Sequence, residues 1–102
     1  MRSLLIGAGI SALLFSGVAA ADLELAKKSG CLACHSVDKK IVGPAWKDVA
    51  AKYKGDANAK ATLIEKVKKG GKGNWGPTPM PPYSPRVADA DIEKLVDFVM
   101  GL

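Results

Sequence analysis

The sequence is poor in the residues that most often carry chemistry. Its 102 residues include one histidine and two cysteines. A zinc site needs about four protein ligands, or three plus water. Two Cys and one His supply three, and no clustered carboxylate offers a fourth. There is no run of β-branched residues from which a βαβ sheet could be built, which argues against a thioredoxin-type redox motif. No nucleic-acid recognition motif, internal repeat or second domain is visible. Almost all the reactive chemistry is therefore confined to one short segment.

That segment is Cys31-Leu32-Ala33-Cys34-His35. It holds both cysteines and the histidine in a C-x-x-C-H arrangement, the pattern of covalent c-type haem attachment. On a helix, positions i, i+3 and i+4 share one face. Cys31, Cys34 and His35 can then address one flat ligand: two thiols for the vinyl groups, and an imidazole for one side of the iron. A plain disulfide would leave His35 without a purpose. Six-coordinate iron requires a second axial ligand from elsewhere in the chain.

The N-terminus reads as an export signal. Met1-Arg2 is a short basic start, Leu4 to Val18 carries no charge, and Ala19-Ala20-Ala21 provides small residues for cleavage. A membrane anchor of about 20 apolar residues is the competing reading. The apolar stretch reaches that length only by including its small-residue tail, and no basic stop-transfer cluster follows. We expect residues 1–21 to be a cleaved signal peptide and residues 22–102 to form one domain. So short a chain builds only a marginal core and needs a staple; a covalent haem would serve. The net charge is +5. The lysines are spread along the chain, as a solvated surface or as a basic rim that steers acidic partners.

The remaining pattern is helical, so the class expected is all-α, with four to five short helices. Asp22 is a candidate N-cap for a helix ending at Gly30. Trp46, Val49, Ala50 and Tyr53 predict a helix over Ala45–Tyr53. Ala59, Leu63, Ile64 and Val67 predict another over Ala57–Lys69, closed by Gly70-Gly71. Gly70 to Pro85, with four Gly and five Pro, reads as a functional loop without regular structure. Ile92, Leu95, Val96 and Val99 mark a closing helix over Asp89–Leu102, expected to pack on the first.

The domain has two methionines as candidates for the second axial position. Met100, at the edge of the closing helix's apolar stripe, suits core filling. Met80 lies in Pro77-Thr78-Pro79-Met80-Pro81-Pro82, where neighbouring prolines fix the backbone. A rigid loop presents a thioether at low entropic cost, which favours Met80 as the ligand opposite His35. Such a pair favours ferrous iron, raises the potential, and leaves no open site on the metal.

From about Leu23 to Leu102 the chain resembles the small bacterial class I cytochromes c of the c-551/c-552 type. The resemblance rests on Gly30 to His35, on Val42-Gly43-Pro44-Ala45-Trp46-Lys47-Asp48-Val49-Ala50-Ala51-Lys52-Tyr53, and on Trp75 to Pro82. It implies a cytochrome c fold around one covalently attached haem c, in a periplasmic one-electron carrier that is not an enzyme. The partners it implies are redox proteins: a nitrite reductase, a terminal oxidase, a cytochrome c peroxidase or a quinol-oxidising complex. A monomer without stable membrane insertion is expected. The resemblance also implies that the Pro44 carbonyl accepts a hydrogen bond from the His35 imidazole, and that Trp75 and Lys66 lie at a haem propionate. The chain departs from the family at three positions. Tyr83 replaces an amide that donates to the methionine sulfur, Phe98 replaces a tryptophan, and Ala88 replaces a serine cap, leaving Asp89 to cap one residue later. The alternative function is a haem enzyme or gas-binding cytochrome with an open distal site. The cytochrome c′ form of that alternative carries its motif near the C-terminus of a longer chain.

Overall fold

The computed structural model describes residues 21–102. The proposed leader therefore lies outside the described residues, apart from Ala21. Helix α1 covers residues 21–28, so Asp22 sits inside the helix and is not its cap. Ala21 is a strong helix former and is already part of it. Ser29 N–H donates to Leu25 O at 3.0 Å and Gly30 N–H to Lys27 O at 3.1 Å, closing the helix.

Helix α2 (Trp46–Lys52) follows Ala45, whose extended backbone begins it, and ends before Tyr53. The predicted span was one residue longer at each end. Its period-3.6 face buries Trp46, Val49 and Ala50. Helix α3 (Ala59–Lys69) starts after a turn in which Asp56 Oδ1 accepts the Asn58 N–H at 2.8 Å. Ala57 falls in that turn, outside the helix. Only Ala59 of α3 is buried; the apolar stripe of Leu63, Ile64 and Val67 is half-buried.

The segment expected to be a loop is a hairpin. Strand β1 (Gly71–Gly73) pairs antiparallel with β2 (Gly76–Met80), with Gly71 opposite Met80 and Gly73 opposite Gly76. Both strands of a two-stranded ribbon are edges, so Pro77 and Pro79 can lack N–H groups without breaking an interior ladder. The expected all-α architecture thus gains one small sheet. The ribbon is nearly all exposed, and only Met80, at its end, is partly covered.

Helix α4 (Asp89–Met100) buries Ile92, Leu95, Val96 and Val99, the residues whose period predicted it. They serve two apolar clusters. Leu95 and Val99 join Ala26 of α1, Cys31, Trp46 and Val49 in one cluster. Ile92 and Val96 join Tyr83 and Val87. Met100 packs partly buried against this second cluster, which agrees with its reading as core filler. Phe98 meets Trp46 edge-on, with ring centroids 6.0 Å apart and planes at 89°. Lys60 ties α3 to α4 through Glu93 and Asp97, each at 3.2 Å. Among the described residues no helix is long and apolar enough to cross a membrane.

The start of α4 differs from expectation. Ala88 holds the N-cap position with φ −63° and ψ 144°, makes no side-chain cap bond, and leaves Asp89 as the first helical residue. Asp89 therefore favours the helix dipole and does not cap it. The Ala88 backbone already has the extended form a capping serine adopts. Ala88→Ser should stabilise the domain by about 1 kcal/mol, raising Tm by about 4–8 °C for a domain of this size. Thermal unfolding followed by circular dichroism checks this; an unchanged Tm would show that the end is already satisfied.

Candidate haem site

Gly30 takes a left-handed φ of 83° and turns the chain out of α1. The attachment motif then forms a single 3-10 turn, Cys31–Ala33, rather than a longer helix. Cys34 N–H donates to Cys31 O at 3.2 Å, and His35 N–H donates to the same oxygen at 3.0 Å. One turn is enough to keep the i, i+3, i+4 relation. Cys31 is buried and Cys34 half-buried, both as free thiols. Burial pushes the Cys31 thiol above its usual range. Among the described residues, no group of three or more His, Cys, Asp or Glu is placed to hold a metal ion.

The chain after the motif folds back and fixes the imidazole. Gly43 N–H donates to Cys34 O at 2.7 Å, and Trp46 N–H donates to Ser36 O at 2.9 Å. This brings the Pro44 carbonyl oxygen to 2.8 Å from His35 Nδ1. A carbonyl only accepts, so Nδ1 carries the proton and Nε2 keeps a free lone pair. Trp46 stacks on the imidazole at 5.6 Å between centroids, with planes inclined by 21°. Gly43 supplies the space: a Cβ there would lie 2.6 Å from His35 Cε1.

Met80 ends β2 and is held from both sides. A side chain at Gly70 would strike the Met80 carbonyl oxygen, so the C-terminal end of α3 meets the strand backbone at close range. Beyond Met80, Tyr83 N–H donates to Val67 O at 3.0 Å and Ser84 N–H to Lys68 O at 3.3 Å. The Tyr83 ring is buried, and burial pushes its phenol pKa up. Among the described residues no hydrogen bond joins Tyr83 to the Met80 sulfur. The Arg86 guanidinium instead lies 4.8 Å over the Tyr83 ring.

These residues line one cleft that opens to solvent. Cys31, Cys34, His35 and Pro44 contribute from one segment; Trp75, Met80 and Tyr83 contribute from another. Leu63, Val67, Leu95 and Val99 supply apolar wall. The mostly apolar lining is typical of cofactor sites. Lys66 and Lys72 are the charged lining residues, and no Asp or Glu lines the cleft. Such a site suits a large apolar ring bearing acidic groups, with two thiols, an imidazole and a thioether to hold it.

Trp75 is 41 % exposed at the hairpin tip, and a Cβ on Gly71 would lie 3.0 Å from Lys66 Nζ. The fold thus brings Cys31, Cys34, His35, Pro44, Lys66, Trp75 and Met80 to this cleft, and Met100 does not line it. Sequence reasoning missed Lys52, whose Nζ lies 4.7 Å over the Trp75 ring and donates to Asn74 O at 3.3 Å. No local signal marks it, because the contact spans 22 residues of sequence.

Residues 23–102 match the family model for cytochrome c. The chain is 61% identical over 84 residues to cytochrome c-551 of Allochromatium vinosum, covering 82% of this chain and 88% of the relative. It is 51% identical over 92 residues to cytochrome c-552 of Nitrosomonas europaea, covering 90% and 88%. The crystal structure of wild-type Nitrosomonas europaea cytochrome c552 superposes with a TM-score of 0.74 at 49% identity, covering 78% of this chain and 98% of that one. Membership implies one covalently bound haem c, with Cys31 and Cys34 at the attachment positions. The protein belongs to the cytochrome c family and is a small bacterial c-type cytochrome of the c-551/c-552 kind.

Proposed function

We propose that this electron carrier works in the periplasm, with residues 1–21 removed as a leader and residues 22–102 as the working domain. Bound haem supplies a one-electron Fe(III)/Fe(II) couple. Cys31 and Cys34 would hold it as thioethers, and His35 and Met80 would ligate its iron. The observation that carries this reading is the 2.8 Å hydrogen bond from His35 Nδ1 to the Pro44 carbonyl, which leaves Nε2 as the ligating nitrogen. The bond also fixes the orientation of the imidazole ring. The Met80 thioether favours ferrous iron and raises the potential. Lys66 and the Trp75 indole N–H are suited to the haem's acidic side chains. With both axial positions taken by protein groups, none is left for oxygen or peroxide.

The partners are redox proteins, proposed here as a nitrite reductase, a terminal oxidase, a cytochrome c peroxidase or a quinol-oxidising complex. The surface supports short-lived docking to an acidic face. Lys47, Lys68 and Lys69 are each paired with a carboxylate, on Asp38, Asp89 and Glu65. Among the described residues Lys28, Lys39, Lys40 and Lys72 form no ion pair. Lys39 and Lys40 precede Ile41 and Val42, which are 54 % and 49 % exposed, and Val42 lines the cleft. An apolar spot with a basic flank fits a redox encounter that buries less than about 1,200 Å².

Three outcomes follow. Met80→Ala should turn the ferric protein high-spin, abolish its thioether-to-iron charge-transfer band, lower the potential and admit carbon monoxide to the ferrous form. An unchanged spectrum, or rapid carbon monoxide binding by the native protein, would refute the axial assignment. Gly43→Ala should destabilise the holoprotein by about 1–3 kcal/mol through overpacking against His35, read as a lower denaturant midpoint. Electron transfer to an acidic partner should slow about tenfold or more from low to high salt, because charges are screened beyond about 8 Å at physiological ionic strength. Salt-independent second-order rates in stopped flow would point to apolar docking alone.

A further inference from the structure

The β1–β2 hairpin carries Met80 but has little to hold its outer end. Every residue of β1 and the first four of β2 are exposed. Asn74 and Trp75 form the turn between the strands, and both are exposed. Among the described residues, protein side chains pack on the ribbon chiefly at its base, where Met80 is partly covered by the second apolar cluster; its inner side lines the cleft, where a bound haem would add contacts.

One side chain reaches the tip from another element. Lys52 is the last residue of α2, the helix whose first residue, Trp46, stacks on His35. Its ammonium donates to the Asn74 carbonyl at 3.3 Å, lies 4.7 Å over the Trp75 ring and lies 5.9 Å from the Tyr53 centroid. A cation in the last turn is also favoured by the dipole of α2. A neutral side chain of similar length would lose both the donor and the attraction to the indole face.

We propose that Lys52 is a positioning residue, a latch that ties the hairpin tip to the end of α2 and limits how often the Met80 strand lifts away from the His35 side. The inference rests on the reading of Met80 as an axial ligand. Asn74 contributes a backbone carbonyl, so the latch survives changes to the Asn74 side chain. Lys52 has no role in attachment or ligation, so its loss leaves the haem in place.

Imidazole serves as the probe, because it can bind the ferric iron only after Met80 has left. At saturating imidazole the rate reports strand opening, followed as loss of the thioether charge-transfer band in stopped flow. The holoprotein with Lys52→Met should open about three- to tenfold faster, the size expected from losing one exposed hydrogen bond and one cation–π contact. Lys52→Arg keeps the cation and should stay within about twofold of the native rate. Amide hydrogen exchange at residues 74–76 should quicken in Lys52→Met alone. Slow native opening with an unchanged Lys52→Met rate would overturn the latch and leave the Met80 assignment standing. Native protein that takes up imidazole with no opening-limited phase would overturn the Met80 assignment, and the latch with it.

Discussion

An apolar cleft walled by α3 and α4 is the constraint from which the rest follows. Helix α3 turns Leu63 and Val67 toward the cleft, and α4 does the same with Leu95, Val96 and Val99. The α4 residues are already buried, whereas Leu63 and Val67 of α3 stay half-buried, as expected where so short a chain builds only a marginal core. The two apolar clusters that share α4 are halves of a core whose centre is the cofactor. A haem held there would be part of the hydrophobic interior as well as the redox group, so loading would contribute to the stability of the fold. Leu63 and Val67 of α3's half-buried stripe line the cleft and would be a contact face for the ring.

The two ends of the cleft are built differently. On the His35 side, backbone hydrogen bonds fold residues 36–46 against the motif, and an aromatic plane lies on the imidazole. On the Met80 side, a ribbon of glycine and proline is held at its base by α3 and at its tip by a lysine. The first arrangement is local and short-range. The second depends on contacts between distant parts of the chain. Charge follows the same division of labour: the cleft's charged lining is basic throughout, while carboxylates are spent on surface ion pairs away from it.

Much of the site was legible because its signals are local. Cys31, Cys34 and His35 stand within one turn of each other, and the α4 stripe repeats at helical spacing. The prolines around Met80 marked it as a held residue before any fold was known. The missed features need tertiary information. Alternation of glycine and proline carries no strand pattern, so the hairpin was read as a loop; its strands exist because a ribbon has no interior ladder for proline to break. Lys52 looks like any other surface lysine until α2 and the hairpin tip are brought together. The expected cap at Asp89 failed by one residue, which is the scale on which helix ends are set by backbone geometry rather than composition. Tyr83 could be identified as a departure from the family, but only the fold shows its ring buried beneath Arg86 and not bonded to sulfur.

Helix α4 faces two ways. Ile92 and Val96 point into one cluster while Leu95 and Val99 point into the other. Adding or deleting one residue would rotate everything beyond it by about 100°, exchanging the partners of both clusters together. The helix is therefore locked in phase, and changes in chain length can be absorbed only in turns that bury nothing. In a lineage of such proteins, insertions and deletions would collect at segments such as Lys54 to Ala57 and the hairpin tip, while the last helix keeps an invariant count.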